Sequence, residues 1–197
     1  MNSRKPGRKT VSTGALTKLD FASHGTAFLS CVIGSIVLDS VILMASASHH
    51  LASVGFRIHT LEQHSEQKRW GPDGLASVLA QLAIWAGCLV LAFYVAVVGA
   101  HGVFHANLFA PFAMAGFALP GLAALVTTVN LANRSISDGW STSNFDALLS
   151  AAPTVLALAM AVEIDLVNAG RLDAIVGLAI MLLFCARALI HLRQVLD

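Results

Sequence analysis

The feature that most restricts the fold of this chain is a set of long apolar runs that contain very few charged side chains. Residues 75–98 are the clearest example, because they include no Asp, Glu, Lys, Arg or His. About 20 consecutive apolar residues allow a helix to cross the hydrocarbon core of a bilayer. Charged residues make up only 12% of the chain, against about 25% in soluble domains. The sequence therefore predicts an all-α integral membrane protein.

The apolar runs and the polar stretches between them predict a six-transmembrane-helix bundle. The region 13–60 is long enough for two spans joined by a tight turn, and its natural break is either Gly34-Ser35 or the area around Asp39. The predicted spans cover residues 14–37, 38–58, 75–98, 108–131, 145–162 and 172–190. Short connectors are expected at 101–105 and 163–171, and longer polar loops at 60–74 and 133–143.

The basic residues predict that both termini are cytoplasmic. With six spans in that orientation, Arg171 alone among the 12 Lys and Arg residues lies outside, as the positive-inside rule requires. Five spans would place the basic residues of one end on the wrong side. We therefore expect a basic cytoplasmic tail over residues 1–13 and a transmembrane domain over 14–197, with no C-terminal soluble domain. The expected location is the inner (plasma) membrane, crossed several times.

Ionisable side chains inside the predicted spans are the main candidates for function, because a charge at the centre of a membrane helix costs about 2.5–3.5 kcal/mol to insert. Asp39 has apolar residues on both sides, and Asp146 stands one helical turn before Ser150. Carboxylates beside Ser or His suit a transition-metal cation or a proton. Asp39, Asp146 and Ser150 are thus the primary predicted metal ligands, with helix packing as the alternative role. Asp173 is expected to be an interfacial charge that reaches water.

The eight histidines lead to two further hypotheses. His49 and His50 are secondary candidate metal ligands, as part of a loose patch with His59 and His64 on the cytoplasmic side. They lie some 15 Å along a helix from Asp39, too far to share its ion unless the helix breaks between them. Alternatively, histidines embedded in the membrane ligate haem axially. The candidates for that role are His24, His49, His50, His101 and His105.

Residues 171–180 read RLDAIVGLAI, and residues 186–197 read ARALIHLRQVLD. These stretches resemble the opening and the close of the last transmembrane helix of the cation diffusion facilitator (cation efflux) family, which exchanges zinc-class metal ions for protons. Residues 69–77 also resemble the start of the family's third helix, and Gly34-Ser35 resembles its Gly-Ser between the first two. The resemblance implies a six-helix, cation-efflux-like bundle and a homodimer.

The metal-site motifs of that family are degenerate in this sequence. The family carries (His/Asp)-x-x-x-Asp on its second helix and His-x-x-x-Asp on its fifth, so that both ligands of each pair share a helical face. The matches here are Asp39-x-x-x-Leu43 and Asp146-x-x-x-Ser150, and each keeps one carboxylate. A rival match on the second helix, His49-x-x-x-Ser53, lacks the carboxylate. The resemblance therefore implies an atypical or weakened ion site.

The leading hypothesis is a cation transporter that exports a divalent, zinc-class metal ion in exchange for protons. The ion is its substrate, and neither enzymatic activity nor a tightly bound cofactor is expected. The partners are lipids, metal ions and protons; a net charge of +1 gives no support for nucleic acid. One alternative is a transport-inactive structural or regulatory subunit that keeps the transporter fold, and another is a haem- or quinone-binding membrane protein.

Overall fold

The computed structural model describes residues 13–63, 72–105, 110–132, 151–152, 155–156, 159 and 166–196. Five helices contain almost all of them: α1 (Thr13–Leu38), α2 (Val41–Gln63), α3 (Pro72–Phe104), α4 (Pro111–Ala132) and α5 (Leu166–Leu196). Positions 151–152, 155–156 and 159 are helical as well. The predicted all-α class is therefore confirmed for the part of the chain that the structure describes.

Four of these helices are long and apolar enough to cross a membrane. Their apolar stretches have mean hydropathies between 1.6 and 2.3 and cover Lys18–Leu38, Leu82–Phe104, Phe112–Asn130 and Ala169–Ala186. Large apolar side chains on the outer faces are strongly exposed, including Phe93 at 72% and Phe112 at 75%. Lipid tails are as apolar as these side chains, so the exposed faces fit a membrane environment.

The central helix of the described bundle is α2. It packs against α1, α3 and α5, whereas α4 packs mainly against α1. Every residue from 41 to 50 is buried, although the apolar stretch of α2, Val41–Gly55, is shorter than the other four. Several of the buried side chains on α2 are polar: Ser46, Ser48, His49, His50 and Ser53. The bundle thus has polar groups along its axis and apolar groups on its surface.

A two-residue corner separates α1 from α2. Of the two predicted break points, the one near Asp39 is confirmed, and Gly34-Ser35 lies within α1. Asp39 has a φ of 53°, the left-handed conformation that commonly ends a helix. The Ser40 N–H donates to the carbonyl oxygen of Ser35 at 3.2 Å, as expected for a Schellman-type end. Ser40 then caps α2, because its Oγ accepts from the Leu43 N–H at 3.3 Å.

Asp173 on α5 is buried against this corner, so the expectation that it reaches water is wrong. Only 3% of the residue is exposed. Its carboxylate accepts hydrogen bonds from Ser40 Oγ at 2.7 Å, Val41 N at 2.7 Å and Ile42 N at 3.2 Å. The first N–H groups of a helix have no partner within the helix. The Asp173 carboxylate supplies the missing partner for these N–H groups, from a helix that is distant in sequence.

Two predicted connectors are wholly or partly helical. The connector expected at 101–105 lies within α3 as far as Phe104. The connector expected at 163–171 overlaps α5, which begins at Leu166. Asn168, Gly170 and Arg171 resemble a turn in sequence, but Ala169 between them is completely buried. Tertiary packing outweighs weak local preferences here.

The predicted fifth span, residues 145–162, is described only at 151–152, 155–156 and 159. Asp146 and Ser150 lie outside the described residues, and so does the tail before residue 13. The count of six spans therefore stays a prediction.

The left-handed conformation of Asp39 yields a test of the corner. We expect Asp39→Val to lower the free energy of unfolding by about 1–2 kcal/mol, because a β-branched residue is strained at positive φ. Asp39→Gly removes that strain and is expected to match or exceed the wild type. Thermal unfolding of the detergent-solubilised protein measures both. An Asp39→Val variant as stable as Asp39→Gly would contradict the assigned backbone conformation.

Candidate metal centre

The predicted ligands fall in three different places. Asp39 is exposed at the corner between α1 and α2, and Asp146 and Ser150 lie outside the described residues. His49 and His50 are buried in α2. Between Val41 and His49 the helix is continuous and rises by about 12 Å, so Asp39 and the two histidines lie at different depths. The convergence of Asp39 and Asp146 on one ion stays a prediction.

His49 and His50 meet a third histidine, His24 of α1. The residues are 3%, 0% and 1% exposed, respectively. The Nδ1 atoms of His24 and His50 are 3.0 Å apart. One candidate ligand atom from each of the three histidines lies within 4.8 Å of those from the other two. We call this set the three-histidine cluster.

Local sequence explains why His24 faces inward. The buried residues of α1 recur every three to four positions, which is the spacing of one helical face. They are Asp20, His24, Ala27, Cys31, Gly34 and Ser35. This stripe lies along α2 and α4, the helices against which α1 packs. His24 therefore occupies the same face as the buried carboxylate one turn before it.

A hydrogen-bonded network orients His24. Thr128 of α4 donates from Oγ1 to Asp20 Oδ1 at 2.9 Å, and its Oγ1 is 3.0 Å from His24 Nε2. Because the threonine hydroxyl hydrogen points to Asp20, its oxygen accepts from the Nε2–H of His24. That tautomer leaves the Nδ1 of His24 to accept a hydrogen bond from the Nδ1–H of His50 at 3.0 Å, and a metal ion at this position would take the place of that hydrogen. Metal-binding histidines are commonly oriented in this way, through a hydrogen bond from the ring nitrogen that does not bind the metal.

The network continues toward the start of α1. Thr127 Oγ1 lies 3.1 Å from Asp20 Oδ1, 2.8 Å from the Ala124 carbonyl oxygen and 2.8 Å from Ser23 Oγ. Asp20 has no exposed surface, and its Oδ1 is 3.8 Å from His24 Nε2. A buried carboxylate thus stands next to the cluster and offsets positive charge bound there.

The spacing of the cluster suits a transition-metal ion. Two nitrogens bound to one zinc ion at about 2.0–2.1 Å lie roughly 3.3 Å apart in a tetrahedral site. The 3.0 Å Nδ1–Nδ1 distance of His24 and His50 is close to this value, and the candidate ligand atom of His49 lies within 4.8 Å of those of the other two histidines. Imidazole ligands suit Zn, Cu, Fe and Ni. The alternative to a metal site is a structural role, in which the polar contacts of the cluster hold α1, α2 and α4 together.

The same distances are unfavourable for haem between His24 and His50. Two axial nitrogens on opposite sides of an iron are about 4 Å apart at metal–nitrogen bonds of roughly 2 Å, and the macrocycle lies between them. The 3.0 Å separation of the two Nδ1 atoms leaves no space for a porphyrin. His101 and His105 stack on each other at the C-terminal end of α3, with ring centroids 4.4 Å apart, and both are exposed.

Sequence reasoning named His49 and His50 as secondary ligands but considered His24 only for haem. The available signal was the Asp20-x-x-x-His24 spacing, which puts two ionisable groups on one face of α1. The threonine that connects them, Thr128, belongs to α4 and is more than 100 positions away in the chain. No pattern local to α1 indicates that contact.

A scan against protein-family models and a search of curated proteins both found no match to this chain. The part of the chain that the structure describes is an all-α bundle with four helices able to span a membrane and a buried three-histidine cluster. The resemblance to cation diffusion facilitators stays a prediction.

The hydrogen bonds of Thr128 provide a matched test of the network. We expect Thr128→Val, which keeps the shape but removes the hydroxyl, to lower the free energy of unfolding by about 1–2 kcal/mol. It leaves both His24 and Asp20 short of a buried partner. Thr127→Val, which removes a bond to Asp20 but none to His24, should cost less. Thermal unfolding of both variants decides, and equal stabilities would contradict the bridging position of Thr128.

Proposed function

We propose that this protein is a membrane transporter for a zinc-class transition-metal cation and that the three-histidine cluster is its ion site. The supporting observation is the convergence of His24, His49 and His50 inside a bundle whose surface suits lipid. Ionisable residues inside membrane helices are rare and generally mark ion pathways. Three histidines whose candidate ligand nitrogens lie within 4.8 Å of one another support a cation as the substrate.

The chemistry of the donors narrows the substrate. Three neutral imidazoles leave a fourth position open for water or a further ligand, as in catalytic zinc sites. Hard cations such as Mg²⁺ and Ca²⁺ prefer oxygen ligands and should be rejected. A proton on the imidazole nitrogen that would bind the ion blocks metal binding, so protons and metal compete for the site, in keeping with export in exchange for protons.

The topology predicted from the sequence is part of this proposal. We propose that the protein has six spans and cytoplasmic termini, lies in the inner (plasma) membrane and forms a homodimer, as a cation diffusion facilitator with an atypical ion site would. Asp39, Asp146 and Ser150 remain the alternative ligand set. The two ligand sets are distinguishable, because substitutions in the set that binds the ion should abolish transport and substitutions in the other set should not.

A transport-inactive structural subunit is the second candidate, and one observation favours it. The hydrogen bonds from His24 through Thr128 to Asp20 already join α1 to α4, which is a sufficient reason for buried polar groups in a membrane bundle. Under this alternative the cluster binds no metal. Its variants lose stability but have no transport to lose.

Metal binding separates these proposals. We expect the purified protein to bind one Zn²⁺ or Co²⁺ per chain, because the three imidazoles form a single site. His24→Ala, His49→Ala and His50→Ala should each weaken binding by about tenfold or more, since each removes a direct ligand and removing only a supporting residue costs 10–100-fold. Isothermal titration calorimetry in detergent measures the affinities.

The matched control is the double variant His101→Ala/His105→Ala. It removes two exposed histidines of the same chemistry and should leave the affinity unchanged. Zn²⁺ flux in proteoliposomes then distinguishes a transporter from a binding subunit. Flux lost in His50→Ala but kept in Asp39→Ala supports the three-histidine site, whereas the reverse supports the Asp39 set. A wild-type protein that binds no metal ion would contradict the proposed ion site.

A further inference from the structure

The contact between α5 and the first turn of α2 is closer than helix packing alone requires. Asp173 bonds the side chain of Ser40 and the backbone N–H groups of Val41 and Ile42. One turn later on α5, a Cβ on Gly177 would lie 2.6–2.9 Å from atoms of Val41 and Ile42, two of them backbone atoms. Only glycine permits this approach, so α5 lies directly on the backbone of the first turn of α2. We call this contact, formed by Asp173 and Gly177 with residues 40–42, the seat of α5.

This seat fixes both the position and the rotation of α2. The consecutive N–H groups of Val41 and Ile42 donate to different oxygens of one carboxylate, so the helix cannot turn without breaking one of these hydrogen bonds. A carboxylate at a helix N-terminus also complements the helix dipole. Ser40 closes the set by accepting from Leu43, so the first turn is held from two sides.

The same helix carries two members of the three-histidine cluster. His49 and His50 lie about 12–14 Å along α2 from Val41, within an unbroken helix whose residues are buried from 41 to 50. A rotation of about 10° moves a side chain roughly 6 Å from the helix axis by about 1 Å. A displacement of that size is enough to spoil a metal site, which needs distances within about 0.2 Å.

We propose that Asp173 is a positioning residue for the metal site, because it sets the rotation and axial position of α2 that bring His49 and His50 to His24. The inference rests on the proposed metal-binding function. It assigns Asp173 no contact with the ion. Its effect on the ion passes through the backbone of α2.

Co²⁺ binding tests this role, because the visible absorption of Co²⁺ reports the number and geometry of its ligands. Asp173→Ala is expected to weaken Co²⁺ binding about tenfold or more and to change its spectrum. Ser40→Ala removes one of the three hydrogen bonds and should cause a smaller change of the same kind. Asp173→Asn keeps one acceptor oxygen and should fall between Asp173→Ala and the wild type.

The control for general loss of stability is Ser30→Ala. Ser30 Oγ donates to the Phe117 carbonyl oxygen at 2.7 Å, so this variant removes a hydrogen bond between α1 and α4 without touching the seat of α5. It should lower the melting temperature and leave the Co²⁺ spectrum unchanged. If Asp173→Ala fails to fold, Asp173→Asn and Ser40→Ala give the same comparison with Ser30→Ala.

The two possible failures are distinguishable. A wild-type protein that binds no Co²⁺ overturns the proposed metal site, and the positioning role with it. A wild type that binds Co²⁺, with Asp173 variants that bind it with the same affinity and spectrum, overturns the positioning role alone. In that outcome Asp173 only stabilises the fold.

Discussion

The first backbone N–H groups of a helix have no partner within the helix, so a buried helix start needs a partner from elsewhere in the protein. The corner between α1 and α2 creates such a start, at the N-terminus of the central helix α2. Asp173 satisfies it with three hydrogen bonds, and Gly177 gives α5 the space to approach. The position of α2 depends on this contact, and the cluster that α2 carries depends on that position.

The distribution of polar groups connects this arrangement to function. Exposed Phe93 and Phe112 suit lipid, while His24, His49 and His50 share the buried interior with the carboxylate of Asp20. Burying polar groups in this way is costly unless they are bonded, and here hydrogen bonds through Thr128 of α4 link Asp20 to His24. An oriented imidazole beside two others is what a transition-metal ion requires of a protein. That chemistry supports the proposed metal site.

Sequence reasoning succeeded where the signal is local and failed where it depends on distant contacts. The break at Asp39 was predictable, because a polar residue interrupts an apolar region long enough for two spans. The burial of Asp173 was not, since its partner Ser40 is 133 positions away. His24 was visible as a buried histidine candidate, but its meeting with the histidine pair of α2 depends on how two helices are rotated. Hydrophobic patterns do not determine that rotation when apolar residues surround each helix.

The most direct test of the central claim is X-ray absorption at the zinc edge, on the wild-type protein loaded with one equivalent of Zn²⁺. The account predicts three imidazole nitrogens at about 2.0–2.1 Å, and two in the His24→Ala variant under the same loading. A shell of oxygen ligands, or an imidazole count that stays the same in His24→Ala, would contradict the assignment of the ion to the three-histidine cluster.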